Sequence, residues 1–308
     1  MKIKIGRFEI YSLMDGYFWL DGGRMFADLP KLKWQTICVP DDNNRIRLAA
    51  RCYLIKGRTL TLFDTGMGNP PDPKFPKFMG ASYLDFFGIN QNDGNLIINL
   101  EKAGFAKEDL RFVTQSHLHL DHSGWNTYTN EEKKIVPVFP NAVYLMEDWE
   151  WRAGMNPHPR QKDSYLKENF VPLETADLDN KLRYLWRVKH DIDKWGRTKN
   201  KFQLEPGLTF IRTGGHTDGH WVALIESENK KAFLAGDLIP THKHIVPGNL
   251  MSYDSDLNKV FGEKIKFLTK ACREKWLILF DHDPDFTGGY VAKNQKGHFE
   301  FHPFEGGA

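Results

Sequence analysis

The sequence predicts an α/β fold in which buried strands carry polar side chains at their ends. Three observations support this: apolar runs that lead into a His or an Asp, an apolar repeat of helical spacing near residues 257–268, and 41% hydrophobic content in 308 residues. A chain of this length can bury a large core as one domain. Because no repeat, low-complexity tract or linker divides it, we predict a single domain over residues 1–308.

The amino-terminal half contains several short runs that predict strands. Alternating or apolar β-branched residues place these strands at about residues 2–12, 52–56, 60–64, 112–114 and 142–145. Residues 96–100 predict a helix, which Gly104 would end.

The carboxyl-terminal half repeats one pattern, an apolar run followed by a possible metal ligand. The runs at residues 208–211, 232–236 and 276–281 lead into His216, Asp237 and His282, respectively. Between the last two runs, Ser255 or Asp256 is expected to cap a helix. The helix should bury an apolar stripe, formed by Leu257, Val260, Phe261, Ile265 and Leu268.

A segment of different character lies at about residues 147–201. It is rich in charge and in aromatic side chains, namely Trp149, Trp151, Tyr165, Tyr184, Trp186 and Trp195. In a fold whose loops build the pocket, such an insertion is typical of a substrate lid or a dimer contact. The alternative is a helical surface elaboration that is packed by its own aromatic residues.

Net charge, cysteine spacing and the amino-terminal sequence limit the binding partners and the cellular compartment that we expect for this protein. A net charge of +2 gives no general reason to expect nucleic acid or membrane binding. Cys38, Cys52 and Cys272 are widely spaced, which favours free thiols in a reducing compartment over a disulfide framework. The amino terminus begins with a strand-like alternation and lacks a long apolar segment, so we expect a soluble, cytoplasmic protein.

Two motifs carry the chemistry. Ser116–Gly124 (SHLHLDHSG) and Gly214–His220 (GGHTDGH) together hold five of the twelve histidines. After the strand at residues 112–114, an extended chain would place His117, His119 and Asp121 on one side, and His122 follows. Imidazoles and carboxylates are ligands of Zn²⁺, Mn²⁺ and Fe²⁺. One motif can therefore begin two metal sites, and His216, Asp237 and His282 are candidates to complete them.

These residues resemble the metallo-β-lactamase superfamily, whose pattern is His-x-His-x-Asp-His followed by a His, an Asp and a His. The resemblance implies a four-layer αββα sandwich with the metals at one edge between the sheets. It also implies the ligand sets: His117, His119 and His216 for one ion, Asp121, His122 and His282 for the other, and Asp237 as the bridge. Asp64, in the segment TLFDTG, would support the ligands as a hydrogen-bond acceptor.

The implied cofactor is a pair of divalent ions, zinc first, with Mn, Fe or Co as alternatives. Two such ions polarise a carbonyl or phosphoryl oxygen and supply a bridging hydroxide at neutral pH. Asp121 is then placed to orient the nucleophile and to pass a proton to the leaving oxygen. The reaction class is the hydrolysis of an ester, lactone, amide or phosphoester.

Three stretches narrow the resemblance to one branch of the superfamily. Residues 21–26 (DGGRMF), 42–46 (DNNRI) and 236–241 (GDLIPT) are similar to the branch that contains quorum-quenching N-acyl-homoserine lactonases and organophosphate hydrolases. In known lactonases of this branch a tyrosine follows the bridging aspartate by three residues, but Pro240 occupies that position here. Thr241, His242 or Tyr253 can substitute for it. The complete second-metal set argues against β-lactam hydrolysis.

The leading hypothesis is a dinuclear lactonase that opens N-acyl-homoserine lactones or similar small lactones. The alternatives are a phosphotriester or phosphodiester hydrolase and, from another class, a non-hydrolytic metal-binding or redox protein. The roles of His220, His242 and His244 stay open between the pocket and the scaffold. The expected partner is a small-molecule ester or lactone, with a homodimer left open.

Overall fold

The computed structural model describes residues 1–77, 80–90, 94–175, 185–190 and 199–306. The strands among these residues are β1 (Lys2–Ile5), β2 (Phe8–Asp21), β3 (Arg45–Lys56), β4 (Leu60–Phe63), β5 (Phe112–Thr114), β6 (Thr127–Thr129), β7 (Ile135–Pro137), β8 (Val143–Glu147), β9 (Leu185–Val188), β10 (Lys201–Glu205), β11 (Leu208–Arg212), β12 (Trp221–Ser227), β13 (Lys230–Leu234), β14 (Leu277–Leu279), β15 (Gly288–Lys293) and β16 (Phe299–Pro303).

The described helices range from single turns to one long helix near the carboxyl terminus. The α-helices are α1 (Gly22–Met25), α2 (Lys31–Trp34), α3 (Tyr83–Phe87), α4 (Leu96–Lys102), α5 (Leu120–Ser123), α6 (Asp148–Met155), α7 (Pro172–Thr175) and α8 (Leu257–Glu274). Short 3₁₀ helices are formed by Lys107–Asp109, Gly124–Asn126, Lys162–Ser164, Lys167–Asn169, Gly236–Leu238 and His242–Ile245.

The strands build two large sheets and one small one. The first sheet has the order β1-β2-β3-β4-β5-β8-β9, the second runs in sequence order from β10 to β16, and β6 pairs with β7. The chain divides into two compact units. Unit 1 comprises Met1, Glu9–Phe18 and Ala49–Lys189, and unit 2 comprises Lys2–Phe8, Trp19–Leu48 and His190–Ala308. The single domain over residues 1–308 stays a prediction.

In unit 1, helices pack against one sheet to form a continuous core. Leu62 and Val113 of the central strands lie in one apolar cluster with Leu96 and Leu100 of α4. Asn95 begins α4, because its side chain accepts hydrogen bonds from the first backbone N–H groups of the helix. Strand β5 and helix α4 therefore occur where the sequence predicts them.

Strand direction in unit 1 brings several strand ends to one edge. Strands β4, β5, β8 and β9 are parallel neighbours. The carboxyl ends of parallel strands lie on the same side of a sheet. Residues that follow β4 and β5, including Asp64 and the motif at residues 116–124, are consequently delivered to one place.

Unit 2 has its own core between α8 and the second sheet. Asp256 begins α8 by accepting a hydrogen bond from the Lys259 N–H, which selects it over Ser255 as the cap. Val260, Phe267, Leu268 and Ala271 lie in an apolar cluster with residues of β11 to β15.

The predicted stripe of α8 is partly wrong. Phe261 and Ile265 are 45% and 39% exposed. The buried face instead runs through Val260, Lys264 and Phe267, because the long Lys264 side chain is accommodated in the interior. Its Nζ atom donates a hydrogen bond of 2.5 Å to the carbonyl of Asn249, which compensates in part for burying an ammonium group.

Strand direction in unit 2 also gathers strand ends. Strand β12 is antiparallel to both β11 and β13, and β13 is parallel to β14. Strands β11, β13 and β14 therefore run in one direction, and the residues that follow them are delivered to one edge of the sheet. His216, Asp237 and His282 are the ligand candidates in those positions.

The first predicted strand and the insertion differ in detail from the sequence-based expectations. The strand at residues 2–12 is broken between β1 and β2, where Gly6 adopts a positive φ of 54°. Within the insertion Trp151 is buried and packs edge-on to Phe170, with 5.6 Å between ring centroids. Tyr184 and Trp195 lie outside the described residues, and the lid or dimer role stays a prediction.

Two further expectations can be compared with the described part of the chain. Cys38, Cys52 and Cys272 are all free thiols. None of the described helices combines the length and the apolar character that crossing a bilayer requires. The cytoplasmic location stays a prediction.

Candidate functional site

Unit 1 presents four of the predicted ligands on a short segment that follows β5. His119 has extended backbone angles and directly precedes α5, and Asp121 and His122 lie on the single turn of that helix. The expectation that Asp121 shares an extended segment with the two preceding histidines is therefore wrong. The beginning of a helix, and not strand alternation, positions its carboxylate.

The four side chains converge within unit 1. The ring centroid of His117 lies 4.4 Å from that of His119 and 4.1 Å from that of His122. The Nε2 atom of His122 lies 3.9 Å from the Oδ2 atom of Asp121. The three imidazoles are buried. Three imidazole rings this close together, next to a carboxylate, are a suitable donor set for a cation.

Asp64 and Ser116 contact the Nδ1 side of two of these rings, those of His117 and His122. Asp64 accepts a 2.6 Å hydrogen bond from the Ser116 N–H, and its other oxygen lies 3.1 Å from Nδ1 of His122. The Ser116 hydroxyl lies 3.0 Å from Nδ1 of His117 and 3.1 Å from Nδ1 of His122. Contacts at Nδ1 fix the ring orientation and leave Nε2 as the ligand atom.

The loop that contains Asp64 is joined closely to the end of the motif. The Thr65 N–H donates to the carbonyl of His122, and the Gly124 N–H donates to the carbonyl of Gly66. A Cβ atom at Gly124 would lie 2.1 Å from the carbonyl carbon of Met67. Only glycine permits this approach, so Gly124 keeps the ligand motif against its supporting loop.

A buried carboxylate, Asp15, anchors the same region. It accepts hydrogen bonds from the Met67, Gly68 and Leu96 N–H groups and from the indole of Trp125. Burial raises the pKa of Asp15 to about 6, and these hydrogen bonds oppose the increase.

The insertion contributes to the unit 1 set through Tyr165. Its ring centroid lies 4.9 Å from that of His119, and its hydroxyl donates to Glu150. The same oxygen of Glu150 accepts a 2.9 Å hydrogen bond from the Leu118 N–H. Tyr165 and Glu150 therefore stabilise the segment between the ligands His117 and His119. The sequence analysis did not predict this role, because both residues lie far along the chain from the ligand motif.

Unit 2 presents the other three predicted ligands. Asp237 lies on a 3₁₀ turn after β13, and its two oxygens contact different histidines. Oδ2 lies 3.1 Å from Nε2 of His216, and Oδ1 lies 3.1 Å from Nε2 of His282. A carboxylate that divides its oxygens between two imidazoles has the geometry of a bridge between two sites.

A second carboxylate orients His216. The Oδ1 atom of Asp254 lies 2.8 Å from Nδ1 of His216, and its Oδ2 atom accepts a hydrogen bond from the Met251 N–H. The Ser255 hydroxyl donates to the His216 carbonyl. Sequence reasoning missed Asp254, since it lies in a polar segment beyond Asp237 with no apolar run leading to it.

His220 closes the loop that carries His216. Its Nδ1 atom lies 2.7 Å from the hydroxyl of Thr213, and its carbonyl accepts hydrogen bonds from the Thr213 and Gly214 N–H groups. This geometry favours the loop-orienting alternative for His220.

The pocket candidates Thr241 and Tyr253 have structural contacts within unit 2. Thr241 is 2.8 Å from Nδ1 of His244, whose Nε2 lies 2.9 Å from the Met25 carbonyl. Burial and Lys264 lower the pKa of His244 to about 3, so this ring is neutral and serves the scaffold. The guanidinium of Arg24 lies 4.1 Å from the ring centroid of Tyr253.

His242 differs from these neighbours because it is partly exposed and forms a short contact with Asp283. Its Nδ1 atom lies 2.5 Å from an oxygen of Asp283, and its backbone N–H donates to the same oxygen at 2.6 Å. Sequence reasoning named His242 but missed its partner, although Asp283 directly follows His282.

The donor chemistry of both sets fits divalent metal ions. Each set combines imidazole nitrogens with a carboxylate, the ligand types that Zn²⁺, Mn²⁺ and Fe²⁺ accept. In each set, at least one histidine is held at Nδ1 by a carboxylate, Asp64 for His122 and Asp254 for His216. Such support is typical of metal-binding histidines.

Comparison with known proteins is consistent with this geometry. Residues 45–270 match the Metallo-beta-lactamase superfamily, whose members bind divalent metal ions. An N-acyl homoserine lactonase of Bacillus sp is 26% identical over 238 residues, which cover 75% of this chain and 80% of the relative.

Solved structures give the same fold. A probable metal-dependent hydrolase from Staphylococcus aureus is 25% identical with a TM-score of 0.81, and the match covers 99% of this chain and 100% of that one. AidC, described as a dizinc quorum-quenching lactonase, is also 25% identical, with a TM-score of 0.75 over 100% and 98% of the two chains. The predicted α/β metallo-β-lactamase fold and the predicted enzyme class, a hydrolase, are confirmed. This chain belongs to the metallo-beta-lactamase superfamily.

Proposed function

We propose that this hydrolase opens lactone rings, with N-acyl-homoserine lactones as the leading substrates and zinc as the leading metal. The observation that carries the proposal is the divided carboxylate of Asp237, which contacts His216 through one oxygen and His282 through the other. That arrangement suits a dinuclear centre. The names of the relatives, N-acyl homoserine lactonase and quorum-quenching lactonase, support the choice of substrate.

The proposed ligand assignment follows the superfamily pattern. His117, His119 and His216 would hold one ion, Asp121, His122 and His282 the other, and Asp237 would bridge them. When bound, the two divalent ions lower the pKa of a water towards about 7 and polarise the carbonyl of the ester. Manganese, iron and cobalt suit the same donors.

Asp121 is the proposed catalytic residue. Its side chain is 16% exposed, compared with 1% for His122, 8% for Asp237 and 3% for His282. It is therefore the most accessible of these side chains to a substrate. In the proposed reaction its carboxylate orients the attacking water, takes up a proton from it as the bond to the carbonyl carbon forms, and passes that proton to the ring oxygen as its bond to this carbon breaks. Asp64 contributes by holding His122 and the start of the motif in place.

The experiment that tests the proposal measures proton release. The metal-loaded protein is mixed with N-acyl-homoserine lactones of several chain lengths, and a chelated sample serves as the control. We expect release of one proton for each ring opened, and only in the loaded sample. If the metal-loaded protein releases no protons although its metal content has been verified, N-acyl-homoserine lactones are excluded as substrates.

A phosphotriesterase is the second candidate. Pro240 stands where known lactonases of this branch carry a tyrosine that helps to hold the lactone carbonyl. A phosphotriester needs no such phenol, because the same pair of ions would act on the phosphoryl oxygen. An aryl phosphotriester that releases a coloured phenol belongs in the same assay. Faster turnover of this compound than of any lactone would reverse the order of the two candidates.

A further inference from the structure

A tightly held histidine lies beside the proposed ligand His282 in unit 2. Asp283 directly follows His282, and its carboxylate contacts both Nδ1 and the backbone N–H of His242 at 2.5 and 2.6 Å. The His282 N–H donates to the carbonyl of Pro240. These contacts join the segment at residues 240–242 to the ligand segment at residues 282–283.

Both oxygens of the Asp283 carboxylate accept hydrogen bonds that hold these two segments together. Besides His242, it accepts 2.9 Å hydrogen bonds from the N–H groups of Asp285 and Phe286. A buried carboxylate that contacts both the backbone N–H and the ring of His242 therefore fixes the position of that ring.

The ring is also confined by two phenylalanines. Its centroid lies 5.0 Å from that of Phe286, which meets it edge-on, and 5.2 Å from that of Phe301. With Nδ1 facing Asp283, Nε2 is the ring nitrogen left to accept a hydrogen bond. Among the described residues this Nε2 atom has no hydrogen-bond partner, and the side chain is 20% exposed.

A third metal site is a poorer explanation of the same cluster. His242, Asp283 and Asp285 offer ligand atoms within 4.8 Å of one another. However, Nδ1 of His242 and both oxygens of Asp283 are already used in hydrogen bonds. Asp285 is exposed and lies 3.7 Å from the ammonium of Lys243. The geometry favours a fixed hydrogen-bond acceptor over a cation site.

We propose that His242 is a specificity-determining residue whose Nε2 atom accepts a hydrogen bond from the amide N–H of an N-acylated lactone. This inference rests on the proposed lactonase function. In such a substrate the nitrogen is bonded to the carbon next to the lactone carbonyl, so its N–H lies close to the reacting group. A preorganised acceptor beside a ligand of the centre selects for that donor, because a substrate without it leaves the imidazole unpaired.

The test compares two substrates that differ in one group. N-hexanoyl-homoserine lactone carries the amide N–H, and 2-hexanoyloxy-γ-butyrolactone replaces it with an ester oxygen. We expect the wild-type protein to prefer the amide roughly tenfold in kcat/KM, the value of one good hydrogen bond. His242→Leu should lower kcat/KM roughly tenfold for the amide and change it less than about twofold for the ester.

Two further variants and a binding measurement exclude a purely structural effect. His242→Gln keeps an acceptor and should restore part of the preference, whereas His298→Leu, at an exposed histidine of unit 2, should behave as wild type. Calorimetric binding of the product N-hexanoyl-homoserine should weaken in His242→Leu by a similar factor. Thermal unfolding and metal content are measured for each variant.

The outcomes separate this inference from the proposed function. If His242→Leu loses kcat/KM only on the amide substrate, and His242→Gln restores part of it, the role of His242 is supported. Equal loss on both substrates, or no loss on either, overturns that role while wild-type lactone hydrolysis still stands. Inactivity of the wild-type protein on both lactones overturns the proposed function, and this inference with it.

Discussion

The two ligand sets, one in each unit, are built in opposite ways. In unit 1, His117, His119, Asp121 and His122 lie within six consecutive residues, where the chain changes from β5 to α5. In unit 2, His216, Asp237 and His282 are spread over residues 216–282 and follow three different strands. Local backbone geometry positions the first set, whereas the direction and pairing of strands position the second.

The supporting residues show the same contrast. Asp64 reaches the unit 1 set from the end of β4, which is parallel to β5, and it contacts both the ring of His122 and the backbone of Ser116. Asp254 reaches His216 from a segment between the second sheet and α8. Each ligand set, whether compact or dispersed along the chain, therefore depends on a carboxylate that lies outside the set.

The largest effect is expected at Asp121, the most accessible of the compared ligands. Asp121→Asn keeps the size of the side chain but removes its charge and its ability to take up and pass on a proton. We expect kcat for lactone opening to fall by about 10²–10⁴-fold, the usual range for loss of a general acid or base. The measurement is steady-state proton release, with metal content and thermal unfolding recorded alongside.

The matched control for Asp121 is Asp218→Asn. Asp218 is exposed and lies two residues after the ligand His216, so its substitution should leave kcat within about twofold of wild type, as for most surface changes. If Asp121→Asn retains wild-type turnover, the catalytic role proposed for Asp121 is wrong.

The contrast between the sets also explains which features could be predicted from sequence. Strand β5 and the unit 1 motif were predictable, because apolar periodicity and a run of ligand-type residues are local signals. The strand ends before His216, Asp237 and His282 were predictable for the same reason. The contacts of Asp237 with two histidines require the parallel pairing of β13 with β14, and sequence alone does not reveal that pairing.

The residues that the sequence analysis placed wrongly or overlooked also have physical explanations. Phe261 and Ile265 were expected in the core, but the buried face of α8 includes Lys264, a residue type that hydrophobic patterning assigns to the surface. Asp254 and Asp283 were missed because, unlike Asp64, they do not lie in a segment for which the superfamily pattern predicts a supporting carboxylate. The importance of each follows only from a partner brought close by the fold, His216 for Asp254 and His242 for Asp283.

A smaller effect is expected at Asp64 and Asp254, the two supporting carboxylates. Asp64→Asn and Asp254→Asn each remove a charged acceptor from the Nδ1 side of a ligand histidine. We expect metal affinity to fall by about 10–100-fold in each variant, the usual cost of losing such support. The measurement is competition for zinc against a chelator of known affinity.

Both variants should change the stability of the metal-free protein only modestly. Asp64 also accepts from the Ser116 N–H at 2.6 Å, and Asp254 from the Met251 N–H. Asparagine can still accept one of these bonds, so the metal-free proteins should unfold within about 1–2 kcal/mol of wild type. Unchanged zinc affinity in both variants would contradict the role of these carboxylates in holding the ligands.

The smallest effect concerns two buried charges of opposite sign, one in each unit. In unit 1, burial raises the pKa of Asp15 to about 6. In unit 2, burial lowers the pKa of Lys264 to about 7, and Asp254 opposes the decrease. Desolvation disfavours the charged form in both cases, so their contributions to stability change with pH in opposite directions.

Lys264→Met tests this contrast through the pH dependence of stability. An unfolded chain keeps the lysine proton until about pH 10.4, whereas the folded chain loses it near pH 7. Between these values the unfolded state binds more protons, so the free energy of unfolding rises with pH. Over pH 7–9 the wild-type protein should gain on the order of 1–2 kcal/mol from this group, and the variant should lack that gain.

Urea denaturation at pH 7 and pH 9 measures the difference, and Lys266→Met provides the control. Lys266 lies on the same helix but is exposed and pairs with Glu263, so its loss should leave the pH slope of wild type unchanged. Other titrating groups act equally in all three proteins, and they cancel when the slopes are subtracted. A slope that Lys264→Met shares with wild type would mean that the buried ammonium keeps its proton through pH 9, held by Asn249 and the nearby charge of Asp254.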